Sequence, residues 1–489
     1  MPLAVVLLPA IAGALNFLVR SDRLRRSLLV AAAAIHAALV ASCWVARPAP
    51  IFSGWLAIDS LGLLVLTVDS GLFLAAAVYA AGYLAREGRG LHLDFVQRGR
   101  LFYNEPEAVF AGALLFFLAA MSLASVAHHF GLLWVAVEAT TLTSAPLIYF
   151  HRHQRSLEAT WKYLLIGSVG IAVALLGTFF IAAAMATGAV ETPALVETLV
   201  TRASSLDQTW LKAAFIAYLV GYGTKVGLAP MHSWLPDAHS EAPSLVSALL
   251  SGALLNTAFL GILRLLQVLV AAGLGDFARE LLMLFGFFSM AVAAVFVIAQ
   301  ADYKRMLAYS SVEHMGIIAI GVGLGGSGPF GAMLQAVNHS VAKGLLFLVS
   351  GNILAAYRTK STSDVSGVLR VLPISGALWL VGFFAITGTP PFGAFLSEFS
   401  ILRTAVDDGR WFVSAGYLGL LAVIFIGMAT VFLRMSQGAP DPAHAREREP
   451  ILAILPPLVL AAVALGLGLY VPHGLSSAAH SAARAMGGV

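Results

Sequence analysis

A lysine beside an interrupted apolar segment is the first feature of this sequence that could do chemistry. Lys225 lies in the stretch Gly221–His239, where Pro230 breaks an apolar run and His232 follows closely. Inside a bilayer such a break is tolerated only where protein or a water-filled cavity satisfies the freed backbone groups. A centrally placed lysine costs roughly 2.5–3.5 kcal/mol on insertion scales, so it indicates a functional site. The alternative is that Lys225 lies at a helix end and extends its ammonium to the interface.

Glu138 is the natural counterpart of this lysine. It lies well inside the apolar segment GLLWVAVEATTLTSAPLIYF, where a carboxyl group must be either neutral or paired with a cation. Lys225 is the expected partner if the two segments touch, and a Glu–Lys pair of variable coupling can take up and release a proton. Lys162 begins the next apolar segment, and it has the same alternative of reaching the interface.

A second group of ionisable residues lies in the later part of the chain. His339 and Lys343 are four residues apart, so they share one helix face. His314 lies in the preceding segment and suits a proton relay because histidine titrates near neutral pH, although a single buried histidine is equally well a hydrogen-bonded structural residue. The sequence thus predicts a proton path through the middle of a helix bundle, built from Glu138, Lys162, Lys225, His232, His314, His339, Lys343 and Glu398.

Other reactive side chains do not form recognisable sites. His128 and His129, like His151 and His153, lack a third ligand at suitable spacing, so no metal site is predicted. The single cysteine, Cys43, excludes an internal disulfide, a cysteine-ligated iron–sulfur cluster and a four-cysteine zinc site. The sequence contains no phosphate loop, dinucleotide-binding fingerprint or haem-attachment motif. We therefore predict no catalytic, cofactor-binding or metal-binding residues in this chain, and any redox centre must belong to a partner.

The composition identifies the setting of these residues. Of the 489 residues, 59% are hydrophobic and 11% are charged, which no soluble domain of this length would tolerate. The chain is predicted to be an all-α, polytopic membrane protein. Its net charge of +4 comes largely from arginines in loops, which indicates orientation and not nucleic-acid binding. The segment 1–19 lacks a basic start and runs into a second span, so it is expected to be a first helix and not a signal peptide.

A span needs about 20 apolar residues, and by this rule the sequence contains about 14 spans. They lie near 2–19, 27–46, 61–84, 108–126, 130–150, 162–186, 209–229, 243–269, 281–300, 305–324, 329–356, 372–404, 411–434 and 451–472.

Basic residues concentrate in alternate loops between these spans. They include Arg20, Arg23, Arg25, Arg26, Arg86, Arg89, Arg98, Arg100, Arg152, Arg155, Lys304, Arg305, Arg358, Lys360, Arg370, Arg434, Arg446 and Arg448. The intervening loops carry few basic residues, mostly accompanied by acidic ones. The positive-inside rule therefore predicts an even number of spans with both termini on the outer side.

A second interrupted span predicts internal symmetry. It reads FFAITGTPPFGAFLSEFSIL and carries Pro390 and Pro391 in its middle. The two interrupted spans, the seventh and the twelfth, enter from opposite sides, which is typical of inverted repeats around a polar pathway. The alternative is two broken helices without symmetry, because proline is frequent in membrane helices. The predicted units are a three-helix segment with its loop (1–106), two inverted five-helix repeats (107–270 and 278–436) and a final helix with a tail (437–489).

Four ordered blocks carry a resemblance to a known family. GYGTKVGLAPMHSWLPDAHSEAPSLVSALLSG, DYKRMLAYSSVEHMG, NHSVAKGLLFLVSGN and GTPPFGAFLSEFSIL resemble the antiporter-like membrane subunits of complex I, group 4 nickel–iron hydrogenases and Mrp antiporters. The resemblance covers most of the chain. Within the family, SALLSGALLNTAFLGILR is most similar to the component F subunits of hydrogenase-4-type complexes. The family resemblance implies broken seventh and twelfth helices and a central hydrophilic axis for proton translocation.

The resemblance also assigns individual roles. Glu138 matches the family's glutamate in the fifth helix, and Lys225 matches its lysine in the seventh. His339 and Lys343 match the pair in the eleventh helix, and Glu398 matches the terminal residue of the twelfth. The sequence departs from the pattern at Asn256, where many complex I relatives carry a lysine. Asparagine orders water but holds no proton, so the link between the two halves is expected to be water-mediated, differently tuned or closed. The subunit is also expected to lack the long lateral helix of the largest antiporter-like subunit.

The resemblance implies a proton-translocating subunit of a respiratory-type oxidoreductase complex in a bacterial or archaeal inner membrane. Iron–sulfur clusters, a nickel–iron site or flavin and quinone are expected only in partner subunits, and the expected partners are membrane and peripheral redox chains. Three alternatives stay open: a subunit of a stand-alone sodium/proton antiporter, a member of an inorganic-carbon uptake pair, and a membrane scaffold that does not pump.

Overall fold

A computed structural model describes residues 1–87, 90–94, 101–188, 192–298, 300–439 and 446–488. Almost all of the regular structure is helical, as predicted. The helices are α1 (Pro2–Leu18), α2 (Asp22–Val45), α3 (Ser60–Glu87), α4 (Glu107–Val126), α5 (Phe130–Ile148), α6 (Gln154–Thr187), α7 (Val196–Thr201), α8 (Gln208–Val226), α9 (Trp234–Glu241), α10 (Ser244–Leu249), α11 (Leu255–Ala271), α12 (Gly275–Val297), α13 (Tyr303–Leu324), α14 (Gly328–Tyr357), α15 (Val368–Val371), α16 (Pro373–Ile386), α17 (Gly393–Asp407), α18 (Trp411–Ser436), α19 (Ile451–Leu469) and α20 (His473–Ala485).

Each predicted span overlaps a helix or an interrupted pair of helices. Within the described part of the chain, 11 helices are long and apolar enough to cross a membrane, and Pro2–Leu18 and Pro373–Ile386 are shorter apolar helices. The all-α, multi-pass membrane fold is thereby confirmed. The exact number of crossings and the inverted repeats stay predictions.

The two predicted interruptions are present. Helix α8 ends at Val226, Gly227 adopts a left-handed conformation with φ 79°, and α9 begins only at Trp234. Glycine favours this conformation because it has no Cβ to clash with the carbonyl group. The second interruption separates α16 from α17, and there Gly388 has φ 60°.

Several local elements were not predicted, among them the short helices α7, α9 and α15. The polar stretch after α3 contains a small antiparallel hairpin of β1 (Leu91–Leu93) and β2 (Leu101–Tyr103). A π-helical segment, Leu250–Leu254, joins α10 to α11 without a break, and such segments often lie at functional sites. Helix α20 follows the last predicted span and is rich in alanine and serine.

Ion pairs and hydrogen bonds join the basic loops into one face of the bundle, the basic face. Its contacts are Arg26 with Glu107, Arg152 with Glu105, Arg155 with Asp94 and Glu241, Lys360 with Glu241, and Arg434 with Thr362. Helix α9 ends at this face. Three residues of the predicted basic group, Arg89, Arg98 and Arg100, lie outside the described residues. The carboxyl-terminal segment reaches the loop between α13 and α14, because Gly488 pairs there with Gly326.

Candidate proton pathway

Glu138 and Lys225 are joined through a third residue, Thr141. The Lys225 ammonium donates to Thr141 Oγ1 over 2.9 Å, and Thr141 Oγ1 donates to Glu138 Oε2 over 3.0 Å. A second hydroxyl, that of Ser168, donates to the other carboxylate oxygen over 3.1 Å. No ion pair joins Glu138 directly to Lys225. The two charges therefore communicate through a hydroxyl that accepts from one group and donates to the other.

Helix α6 completes the surroundings of Lys225. Tyr163 OH accepts a second hydrogen bond from the ammonium over 2.6 Å, and the ammonium lies 4.3 Å from the centre of the Tyr163 ring. Helix α8 approaches α6 closely at Gly221, where a Cβ would lie 2.5 Å from the Ala174 nitrogen. The lysine is fully buried. Among the described residues, its charge is thus stabilised by the hydroxyls of Thr141 and Tyr163, by the Tyr163 ring face and, through Thr141, by the Glu138 carboxylate.

Two predicted path residues lie apart from this pair. The Lys162 side chain is 44% exposed and binds Glu158 and Asp237 at 2.6 and 2.9 Å, near the basic face. The His232 ring lies against Tyr309 with centroids 6.1 Å apart, and its Nδ1 has no hydrogen-bond partner. The structure does not bring either side chain into hydrogen-bonding contact with Lys225. The placement of Lys162 agrees with the alternative in which its side chain reaches the membrane interface.

Gln335 joins His314 to Glu398 in the second half of the chain. Its amide nitrogen donates to His314 Nδ1 over 2.8 Å and to Glu398 Oε1 over 3.1 Å. Its amide oxygen accepts from the Ser397 hydroxyl. All the hydrogen-bonding atoms of this amide are used, so Gln335 fixes the positions of both ionisable groups.

The predicted pair on α14 binds backbone carbonyls. His339 Nε2 donates to the Ser251 carbonyl over 3.3 Å, and Lys343 Nζ donates to the Leu307 carbonyl over 2.6 Å. The His339 and His314 rings lie 5.1 Å apart. The Ser251 carbonyl belongs to the π-helical segment, whose irregular backbone offers acceptors to the neighbouring helix. Both predicted side chains are fully buried.

Asn256 ties α11 to α14. Its amide nitrogen donates to the Ser340 hydroxyl over 2.7 Å and lies 3.1 and 3.2 Å from the Gly252 and Ala336 carbonyls. The cavity beside it measures about 20 Å³ and is otherwise lined by apolar residues such as Phe259. Such a space holds about one water molecule, which needs at least two polar partners. Asn256, at the position where many complex I relatives carry a lysine, is thus a neutral residue that hydrogen-bonds α11 to α14.

Two further buried ionisable groups lie beside the predicted row. His239 is fully buried, stacks on Phe347 with centroids 5.1 Å apart, and has no hydrogen-bond partner at either ring nitrogen. Its ring lies within electrostatic range of Lys343 and Lys304. Glu313 lines a cavity of about 310 Å³ together with Glu398.

The sequence interpretation missed the neutral connectors, although their spacing carries a signal. Thr141 lies three residues after Glu138, and Gln335 lies four before His339, so each shares a helix face with a predicted residue. Tyr163 directly follows Lys162 and is fully buried, whereas the lysine points outward. Among the described residues, no group of three or more His, Cys, Asp or Glu side chains is arranged to hold a metal ion.

Comparisons with known proteins place this arrangement in a family. The family described as "NADH:quinone oxidoreductase/Mrp antiporter, TM" matches residues 127–424. The chain is 34% identical over 418 residues to a hydrogenase-4 component F homolog of Methylacidiphilum infernorum, covering 85% of each chain. It is 29% identical to NADH-quinone oxidoreductase subunit N of Desulforudis audaxviator, covering 96% of each chain.

Solved structures share the fold. A chain of the membrane-bound sulfane sulfur reductase, an archaeal respiratory membrane complex, superposes with a TM-score of 0.87 at 20% identity, covering 100% of this chain and 98% of that one. A chain of the Mrp complex from Dietzia sp. DQ12-45-1b gives 0.83 at 20% identity, covering 98% and 97%. Since the family match extends over more than half of the sequence, this chain belongs to the NADH:quinone oxidoreductase/Mrp antiporter family of membrane proteins.

Proposed function

We propose that this chain is a proton-translocating membrane subunit of a respiratory-type oxidoreductase complex, similar to hydrogenase-4 or complex I. The observation that supports it most directly is the link Glu138–Thr141–Lys225 beside the interruption between α8 and α9, in which the threonine and the lysine are fully buried and the glutamate is half-buried. A fully buried ammonium that lies one hydroxyl away from a carboxylate has two accessible states, charged and neutral. Their balance depends on whether that carboxylate is ionised.

In the proposed cycle, a charge shift in a partner subunit changes the coupling between Glu138 and Lys225. When the carboxylate loses its charge or moves away, the ammonium loses its compensation and releases a proton into the interior. When the carboxylate is restored, Lys225 takes up another. Moving one charge across 100 mV requires about 2.3 kcal/mol, which is comparable to the roughly 1.5–3 kcal/mol of one hydrogen bond to a charged group.

The proton then passes to the second half. His239, Lys343, His339 and His314 form a buried series there, and Gln335 holds His314 and Glu398 close to each other through its amide N–H groups. Glu398 faces the cavity of about 310 Å³, which provides an exit from the bundle. Asn256 holds α11 against α14 in this region, and its role is to fix the spacing over which water or neighbouring side chains transfer the proton.

The orientation and internal symmetry belong to the same proposal. The basic face would be cytoplasmic, which places both termini on the outer side of a bacterial or archaeal inner membrane. The interruptions would mark the two inverted repeats at 107–270 and 278–436, with 1–106 and 437–489 outside them. The contact of Gly488 with the loop at Gly326, between the tenth and eleventh predicted spans, supports an outer carboxyl terminus.

The proposal places the redox centres in partner subunits. The relatives' names include a hydrogenase-4 component and an NADH-quinone oxidoreductase subunit, and two similar solved chains come from multi-subunit membrane complexes. The partners would therefore be membrane subunits together with peripheral chains that carry iron–sulfur clusters and a nickel–iron site or flavin. The same family description includes Mrp antiporters, so the test must distinguish a redox-driven pump from an antiporter.

Purification of the tagged chain in mild detergent, with mass spectrometry of the bound proteins, is the first experiment. Iron–sulfur and hydrogenase-like or quinone-reductase-like subunits are expected. If only small membrane proteins or a zinc protein remain bound, the redox assignment is wrong and an antiporter or carbon-uptake function replaces it. A chain that assembles with redox subunits but moves no protons would be a scaffold.

The second experiment measures proton uptake by the purified complex in vesicles. Glu138→Gln and Lys225→Ala should each abolish substrate-dependent uptake, because either change removes one end of the coupled pair. Glu280→Gln, at an exposed position of α12, is the matched control and should pump normally. Normal pumping by both pathway variants would refute the proposal.

A further inference from the structure

A buried carboxyl group outside both predicted repeats has no function in the pathway described so far. Asp69 lies in α3 and is completely buried. Its oxygens contact the Thr257 hydroxyl at 3.1 and 3.2 Å and the Ser125 hydroxyl at 3.2 Å. No ion pair compensates it among the described residues. A buried carboxylate without a cation is costly, so these neutral surroundings favour a carboxyl group that carries a proton.

The two hydroxyls that contact Asp69 each have a second possible acceptor. The Thr257 hydroxyl lies 3.1 Å from the Ala253 carbonyl, and the Ser125 hydroxyl lies 3.0 Å from the Met121 carbonyl. They can donate to Asp69 when it is ionised. When it is protonated, its single O–H can be donated to one of the two hydroxyls, which then donates to its backbone carbonyl, while the other hydroxyl still donates to the carboxyl group. Both protonation states are therefore satisfied by rotating one hydroxyl group, without moving a helix.

Asp69 also lies between the pathway and a charged cluster at the other end of α11. Thr257 directly follows Asn256, whose amide binds α14. Two turns further along α11, Arg264 donates to Asp59 through two hydrogen bonds of 2.5 and 2.7 Å. His128 lies 3.7 Å from the same carboxylate, which is 34% exposed. This charged cluster thus joins the buried region to the surface.

The backbone places α4 between the two groups. A Cβ at Gly62, one turn into α3 after Asp59, would lie 2.4 Å from the Ser125 carbonyl and 3.3 Å from Arg264 Nη2. The Ser125 backbone therefore lies beside the start of α3, close to the cluster, while its side chain contacts Asp69. A proton on Asp69 is thus one residue from Asn256 on one side, and Ser125 leads from it toward the end of α3 where the cluster lies.

We propose that Asp69 is a proton-holding residue on a branch that connects the Asn256 region of the pathway to the cluster of Asp59, Arg264 and His128. The inference rests on the proposed function and adds an ionisable group close to the position where Asn256 replaces a lysine. Only the O–H bond of the Asp69 carboxyl group forms and breaks. The proton comes from the pathway and leaves toward the cluster, and no electrons are transferred.

The decisive variants are Asp69→Asn and Asp69→Glu in the assembled complex. Asparagine can accept from both hydroxyls but cannot hold a proton, whereas glutamate keeps the acid. We expect Asp69→Asn to lower proton uptake by at least about tenfold, because the amide keeps the hydrogen bonds but cannot take up and pass on the proton. Asp69→Glu should retain most of the uptake. If Asp69 only held helices together, asparagine would serve as well as aspartate.

Two comparisons separate failure of this inference from failure of the proposed function. If Glu138→Gln abolishes uptake while Asp69→Asn pumps like the wild type, Asp69 is not on the path. If Glu138→Gln has no effect, the proposed function is wrong, and infrared spectroscopy still decides the case of Asp69. A protonated-carboxyl band in the wild type that Asp69→Asn removes supports a proton-holding residue, and a spectrum unchanged by the substitution overturns it. Should the asparagine variant fail to assemble, the band must shift in Asp69→Glu, and an unshifted band counts against the inference.

Discussion

Thr141 provides the sharpest test of the coupling between Glu138 and Lys225. Replacing it by valine keeps the shape of the side chain but removes the hydroxyl that accepts from the lysine at 2.9 Å and donates to the glutamate at 3.0 Å. Each charged group then loses a buried hydrogen-bond partner. A hydrogen bond to a charged group contributes roughly 1.5–3 kcal/mol, and about 1.4 kcal/mol corresponds to a factor of ten in rate.

We therefore expect Thr141→Val to slow substrate-dependent proton uptake in vesicles by roughly 10- to 150-fold. Thr141→Ser keeps the hydroxyl and should recover most of the rate. Thr140→Val is the matched control, because Thr140 is equally buried on the same helix but donates only to the Val137 carbonyl of its own turn. Equal rates for Thr141→Val and Thr140→Val would show that the hydroxyl does not couple the two charges, and the reasoning would fail.

Two other contacts give predictions of different kinds. Gln335→Leu should lower proton uptake by at least about tenfold, because Glu398 and His314 both lose their amide partner. The control is Asn338→Leu, one turn away and bound to Ser397, which should stay near the wild-type rate. Similar rates for the two variants would refute the assignment. Arg264→Met should destabilise the protein by about 3–5 kcal/mol, because it leaves Asp59 without its bidentate partner. Thermal unfolding in detergent measures this loss, and the double variant Arg264→Met with Asp59→Asn should recover part of it; an unchanged melting temperature in the single variant would contradict the prediction.

The charged members of the site were predictable because they violate the composition around them. A lysine or glutamate inside an apolar segment costs several kcal/mol unless it is paired, so Glu138, Lys225 and Lys343 could be identified from their surroundings alone. The interruptions were equally easy to predict, since proline and glycine together break the helical hydrogen bonds of a span. The helices could be predicted from the lengths of the apolar segments, because a membrane span needs about 20 apolar residues.

The neutral members of the site were not predictable from composition. Threonine, glutamine and tyrosine cost little in a membrane helix, so the composition around Thr141, Gln335 and Tyr163 does not mark them, and only their spacing from the charged residues carries a signal. For Lys162 the sequence left the interior and the interface open, and in the structure the helix turns its side chain toward Asp237. One residue is about 100° of helix rotation, and sequence boundaries are not accurate enough to decide which of two adjacent side chains points inward.

The two halves of the proposed pathway share one arrangement, in which a neutral residue lies between two ionisable ones. Thr141 separates Glu138 from Lys225, and Gln335 separates His314 from Glu398. A direct buried ion pair loses about 3–5 kcal/mol when one partner is removed, more than the roughly 2.3 kcal/mol available from one charge across 100 mV. The Thr141 hydroxyl replaces a direct contact between Glu138 and Lys225 by hydrogen bonds of roughly 1.5–3 kcal/mol each, and the Gln335 amide holds an unprotonated His314 nitrogen beside Glu398. In the proposed mechanism, these neutral connectors keep each pair close enough to interact and leave the coupling weak enough for the membrane potential or a partner's charge to reverse.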